Sequence, residues 1–208
     1  MANEEDLTPS LPAAPTATAT PYVTLAIALC AGVIFCFPFV YAPLLYNRDL
    51  ILHGQIWRVW TGHLVHYSSS HFLWNLIIFL AAGAWLEHIR PRSARCFYLV
   101  CPAVISASLL IGEPTLQLYA GLSGLASGVL VFLALVQLSQ NNAEPTWMWV
   151  GIFGLVVVKI ALETVTGESL LVQDFAGFRV VPLAHISGAC SGVVAWAIMR
   201  SPAKLRGC

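Results

Sequence analysis

Six long apolar stretches separated by short polar segments dominate this chain, at about residues 22–46, 71–87, 94–111, 120–138, 147–165 and 182–199. A helix crosses about 30 Å of hydrocarbon with roughly 20 apolar residues, so the pattern predicts an all-α membrane protein, a bundle of six transmembrane helices over residues 21–200. Pro38 and Pro43 should kink or end the outer part of the first span, because proline lacks the backbone donor and crowds the preceding turn. Residues 47–70 mix Trp57, Arg58, Trp60, His63, His66 and Tyr67. Such a mixture lies at a membrane interface, structured but not crossing. Residues 1–20 carry Glu4, Glu5 and Asp6 and then Pro, Ala and Thr, which predicts a disordered tail, and residues 201–208 form a short basic tail. No basic segment precedes the first apolar run and no clean cleavage site follows it, so that run is read as a retained span rather than a removed signal peptide.

Composition agrees. The chain is 58% hydrophobic and 10% charged, against roughly 45–50% and 25% in soluble domains. The formal net charge is zero, which gives no electrostatic reason to expect a nucleic-acid partner; the partners implied are the lipid bilayer and whatever the site acts on. Cys30, Cys36, Cys96, Cys101 and Cys190 lie in or beside apolar runs without C-x-x-C spacing and read as small hydrophobes. Six spans put both termini on one side. With the termini cytoplasmic, Arg90, Arg92, Arg95, Arg200, Lys204 and Arg206 fall inside, against Arg48, Arg58, Lys159 and Arg179 outside. The bias follows the positive-inside rule.

In that topology spans two, four and six all run inward, so their first residues share a depth near the outer face. Those residues are polar: His71 and Asn75 in span two, Ser123 in span four, His185 in span six. Ser123 stands in Tyr119-Ala-Gly-Leu-Ser-Gly124. Gly124 and Gly128, with Ser127, can be read as a small-residue packing face; the same serine at a helix N-terminus can be read as a nucleophile whose oxyanion the helix end would stabilise. His185 heads Ala184-His-Ile-Ser-Gly-Ala-Cys-Ser-Gly192, with Gly188 and Gly192 on its own helix face. If the two glycine stripes pack together, Ser123 Oγ comes within reach of His185, the nucleophile–base arrangement that activates a serine; a plain interhelical hydrogen bond is the alternative. His71 and Asn75, four apart, share a face and could both donate to an oxyanion. His63, His66 and His71 could be read as zinc ligands, but no Cys or carboxylate cluster accompanies them, so neither metal nor cofactor is expected. No aspartate lies in a span to orient His185, so the site reads as a Ser–His dyad.

These residues resemble the rhomboid intramembrane serine proteases. The features are Gln55-Ile-Trp-Arg58, His71-x-x-x-Asn75, Gly121-Leu-Ser-Gly124 and Ala184-His-x-x-Gly-x-x-x-Gly192, in order over roughly residues 50–200. The resemblance implies a six-helix rhomboid-like fold in a bacterial inner membrane, Ser123 as nucleophile, His185 as general base, and His71, Asn75 and the Ser123 backbone N–H as oxyanion donors. A narrower resemblance is to the rhombosortase branch, carried by Tyr-x-Gly-Leu-Ser-Gly and by Lys159-x-x-x-Glu163-x-x-x-Gly167. It implies substrates with a C-terminal Gly-Gly-containing anchor. One departure from that branch is Ala126-Ser127-Gly128, where a histidine would follow the G-L-S-G. Three rivals remain: a general rhomboid protease of transmembrane substrates, an inactive rhomboid-like membrane binding protein that would lose the serine or the histidine, and a small transporter, which would carry ionisable residues near the midplane.

Overall fold

The computed structural model describes residues 19–140, 145–168 and 180–200. Residues 1–18 of the expected N-terminal tail, the whole expected C-terminal tail and Arg179 lie outside the described residues. Within them the chain forms α1 (Tyr22–Cys36), α2 (Tyr41–Leu44), α3 (Arg48–Leu52), α4 (Arg58–Thr61), α5 (Ser69–Ile89), α6 (Pro91–Gly112), α7 (Ser123–Leu138), α8 (Thr146–Thr166) and α9 (Pro182–Arg200). Two short strands, β1 (Tyr46–Asn47) and β2 (Leu118–Tyr119), pair antiparallel, Tyr46 opposite Tyr119.

Among the described residues, length and apolarity alone support four or five of the six expected crossings. Four helices, α5, α6, α8 and α9, are long and apolar enough to cross a membrane, and a fifth follows if α1 is joined to the bent segment Pro38–Leu44. The first apolar run is not one rod: it turns by 104° after Cys36. Phe37, at φ −124° and ψ 76°, leaves the helical region as a residue before proline tends to do. The remaining element, α7, has 16 residues and is about 24 Å long, short of the hydrocarbon thickness. It does not need that length, since all but a few of its residues are buried among α5, α6, α8 and α9.

Glycine sets how closely α7 and α9 approach. A Cβ on Gly124 would stand 2.8 Å from the Ala184 carbonyl oxygen, and one on Gly128 would stand 2.5 Å from the Gly188 oxygen. Gly188 and Gly192 press in the same way on the oxygens of Gly124 and Gly128. Lipid tails are as apolar as leucine, so this backbone-to-backbone fit rather than solvent exclusion holds the pair.

The polar ends are fastened separately. At the end of the bundle remote from Ser123, the buried Glu87 accepts from Thr24 N and Thr24 Oγ1, both at 2.8 Å, from Val23 N at 3.2 Å and from Arg95 Nε at 2.9 Å. The carboxylate thereby caps the first turn of α1, where the helix dipole favours negative charge, and ties α1, α5 and α6 together. At the other end residues 47–64 form short helices with Leu52, Ile56, Trp57 and Trp60 exposed, as expected of an interfacial segment. Its clasp is Arg58, buried, donating to the carbonyls of Ala42 and Leu45 and to Gln55 Oε1.

Candidate active site

The turn entering α7 is held from several sides. β2 is clamped on β1, Gly121 N donates to Gly62 O at 3.3 Å, Leu122 N donates to His66 Nε2 at 3.3 Å, and the Tyr119 hydroxyl donates to Gly121 O at 3.1 Å. Gly121 is the residue this turn cannot replace. Its φ is +122°, and a Cβ there would lie 2.6 Å from Cε1 and Nε2 of His71, so both the backbone and the ring lying over it require glycine. Ser123 follows as the first residue of α7, half-buried, after an N-cap residue, Leu122, whose own side chain makes no capping hydrogen bond. The first N–H groups of a helix have no partner within it.

Opposite, the first turn of α9 presents His185, buried, with Nε2 2.7 Å from Ser123 Oγ. Its other nitrogen, Nδ1, lies 2.8 Å from Oε2 of Glu163, which α8 supplies, and 3.5 Å from Lys159 Nζ. Lys159 Nζ is itself 2.6 Å from the same Glu163 oxygen. Nδ1 can donate to the carboxylate or accept from the ammonium but not both, and the shorter contact to the stronger acceptor decides for donation. Nε2 is then the bare nitrogen, the acceptor for the Ser123 hydroxyl proton. A serine so placed can attack a carbonyl while the imidazole takes its proton.

Of the two donors expected on α5, His71 lies over Gly121 and within electrostatic range of His185 and Lys159. Asn75 is buried one turn further on, its Nδ2 making no hydrogen bond. A buried amide donor without a partner carries a desolvation cost, and a developing negative charge would relieve it. Among the described residues no group of three His, Cys, Asp or Glu is placed to hold a metal ion. His63 is instead engaged by Pro102 O and Ser106 Oγ, both 3.1 Å from its Nε2, and His66 donates from Nδ1 to Leu64 O at 3.1 Å while accepting from Leu122. Burial pushes these two imidazoles down, to about 4 and about 3, so both work as neutral struts. Burial likewise pushes the Tyr119 phenol up.

The sequence reading named no carboxylate beside His185, and the structure places one there. The carboxylate against His185 is a glutamate, Glu163, on a helix whose register against α9 the sequence did not reveal. Tyr119, inside the serine motif, and His66, set aside with the zinc reading, are further residues whose part in building the turn was missed. A family model described as a Rhomboid domain matches residues 53–202, well over half of the chain. Comparison with curated proteins gives no match. The matched stretch runs from the interfacial segment through α9 and includes every polar group assembled around Ser123, and with apolar helices that mark an integral multi-pass membrane protein, the chain belongs to the rhomboid family.

Proposed function

We propose that this protein is an intramembrane serine endopeptidase that cleaves membrane-anchored proteins near the outer end of their anchors. The observation that carries the reading is the 2.7 Å contact between Ser123 Oγ and His185 Nε2 at the start of α7. In the proposed reaction Ser123 Oγ adds to the scissile carbonyl carbon as its proton passes to His185 Nε2. The oxyanion is received by the Ser123 N–H, His71 and Asn75. Collapse breaks the C–N bond, the imidazolium returns the proton to the departing amine, and an acyl-enzyme remains. Water then adds with His185 again as base, releasing the acid and restoring Ser123.

The substrates we propose carry a C-terminal Gly-Gly-containing anchor, as in the rhombosortase branch, with the protein in a bacterial inner membrane, both termini cytoplasmic and Ser123 toward the periplasm. Support comes from the Tyr119-x-Gly-Leu-Ser-Gly124 motif and the Lys159-x-x-x-Glu163-x-x-x-Gly167 spacing. The inactive-binder reading gains nothing from the presence of both serine and histidine in contact. The test is a purified reporter ending in Gly-Gly, an apolar span and a basic tail, reconstituted with the protein in liposomes. Shortening of the reporter by wild type and not by Ser123→Ala is expected. A reporter left full-length while a general transmembrane substrate is cut would remove the narrower assignment and keep the protease.

A further inference from the structure

The sequence reading left His185 without an orienting acid, and the fold supplies one from a helix that carries no part of the serine or histidine motifs. Glu163 lies one turn from the C-terminal end of α8, with its side chain 1% exposed. A carboxylate so buried must be compensated by charge and hydrogen bonds. Both compensations converge on Oε2: Lys159 Nζ at 2.6 Å from one turn back, and His185 Nδ1 at 2.8 Å from α9. An ion pair four residues apart on one helix can satisfy itself and need touch nothing else. This pair instead abuts the imidazole whose Nε2 lies 2.7 Å from Ser123 Oγ.

We propose that Glu163 is a positioning residue for His185, so that the working unit is Ser123–His185–Glu163, with Lys159 holding the carboxylate in place. The proposal rests on the serine-protease reading above. Glu163 accepts the Nδ1–H hydrogen bond, which fixes the tautomer with Nε2 facing Ser123. It keeps its own charge throughout: when the Ser123 proton moves to Nε2, the imidazolium lies against the carboxylate. The sign of the surroundings makes this more than packing. Without Glu163 the nearest charge to Nδ1 is the Lys159 ammonium, 3.5 Å away, which would oppose the imidazolium and offer a donor where an acceptor is needed. Lysine and glutamate together leave the histidine a neutral pair to work against; lysine alone leaves it a cation.

That relation gives a suppressor test. The full-length protein in detergent is treated with a fluorophosphonate probe, and the maximal labelling rate, the half-saturating probe concentration and the melting temperature are measured for each variant. Glu163→Gln should lower the maximal rate by about 10⁴-fold, as when a triad carboxylate is lost, at an unchanged half-saturating concentration. Lys159→Met added to Glu163→Gln should restore at least about tenfold, since it removes the opposing cation. In a His185→Ala background Glu163→Gln should cost almost nothing more, because members of one unit are not additive. Labelling of Glu163→Gln at the wild-type rate, with Ser123→Ala and His185→Ala both unlabelled, would overturn the positioning role and leave the site reading standing. Labelling of Ser123→Ala would instead sink the reading beneath it. If Glu163→Gln fails to fold, the comparison moves to Glu163→Asp, which keeps the charge beside Lys159 but withdraws it from His185. A rate reduced at least about tenfold supports the proposal, and a wild-type rate rejects it.

Discussion

Adding one methyl group at Gly128 should disable a site a full turn and more away. A Cβ at this position would stand 2.5 Å from the Gly188 carbonyl oxygen, where ordinary contact begins at 3.4 Å. The obstacle is backbone, so no rotamer relieves it, and α7 and α9 must move apart by about 0.9 Å. Ser123 lies five residues nearer the helix start, about 7.5 Å along the axis. A rigid separation of that size would stretch the 2.7 Å Ser123–His185 contact to about 3.6 Å, outside hydrogen-bond range. Misplacement of reacting groups by about 1 Å costs on the order of 10²-fold in rate, and overpacking of a tight contact costs about 1–3 kcal/mol. Gly128→Ala should therefore lose about 10²-fold in fluorophosphonate labelling and melt several degrees lower. Gly151→Ala on α8 is the control, because a Cβ there meets nothing within 4 Å; it should label normally and be no less stable. Wild-type labelling and melting in Gly128→Ala would refute the argument that backbone contact sets the geometry of the site.

Three further outcomes are expected. Asn75→Ala should slow cleavage by about 10²–10³-fold, the usual loss of one oxyanion donor, with melting temperature nearly unchanged because Nδ2 has no partner to lose; joint loss of activity and stability would make Asn75 a packing residue. His63 and His66 are held neutral down to about pH 4 and about pH 3, whereas in the unfolded chain each takes up a proton near pH 6.5. The unfolded state then binds more protons, so stability should fall on acidification from pH 6.5 toward 4, by up to about 1.4 kcal/mol per pH unit for each histidine. Replacing His66 by Gln should flatten the melting-temperature profile, and an unchanged profile would contradict this origin. Lastly, single cysteines placed at Arg92 and Glu113 on a Cys-free background, at opposite ends of α6, should respectively be shielded from and open to an impermeant thiol reagent; the reverse would put Ser123 on the cytoplasmic side.

Hydropathy carried most of the architecture because bilayer thickness imposes a length on every spanning helix. Ser123, His185 and the two glycine stripes were legible because small residues at a spacing of four declare a packing face even without tertiary information. Glu163 was not, for the opposite reason. Its helix is apolar on all sides, so nothing in the pattern told the face toward α9 from the face toward lipid, and Lys159 four residues earlier looked like a sufficient partner. The brevity of α7 was hidden as well, since a core helix surrounded by others and a helix facing lipid are equally apolar. The two-residue β1–β2 pair and the strut from His66 to Leu122 depend on contacts between residues more than fifty positions apart, and no local pattern encodes them. Pro38 did announce the break after Cys36, because its effect on the residue before it is local.

The central claim is that Ser123, activated by His185, is the nucleophile, and site-mapped probe incorporation tests it most directly. Wild-type protein is labelled with a fluorophosphonate, digested and mapped, beside Ser123→Ala, His185→Ala and the double variant, with reporter cleavage measured on all four. The account predicts the adduct on Ser123 and not on Ser127 or Ser191, whose hydroxyls are turned back onto the carbonyls of Ser123 and Ser187. It predicts severe loss of labelling in His185→Ala, and cleavage nearly as low in each single variant as in the double one. An adduct on another serine, or full labelling and cleavage in Ser123→Ala, would contradict it.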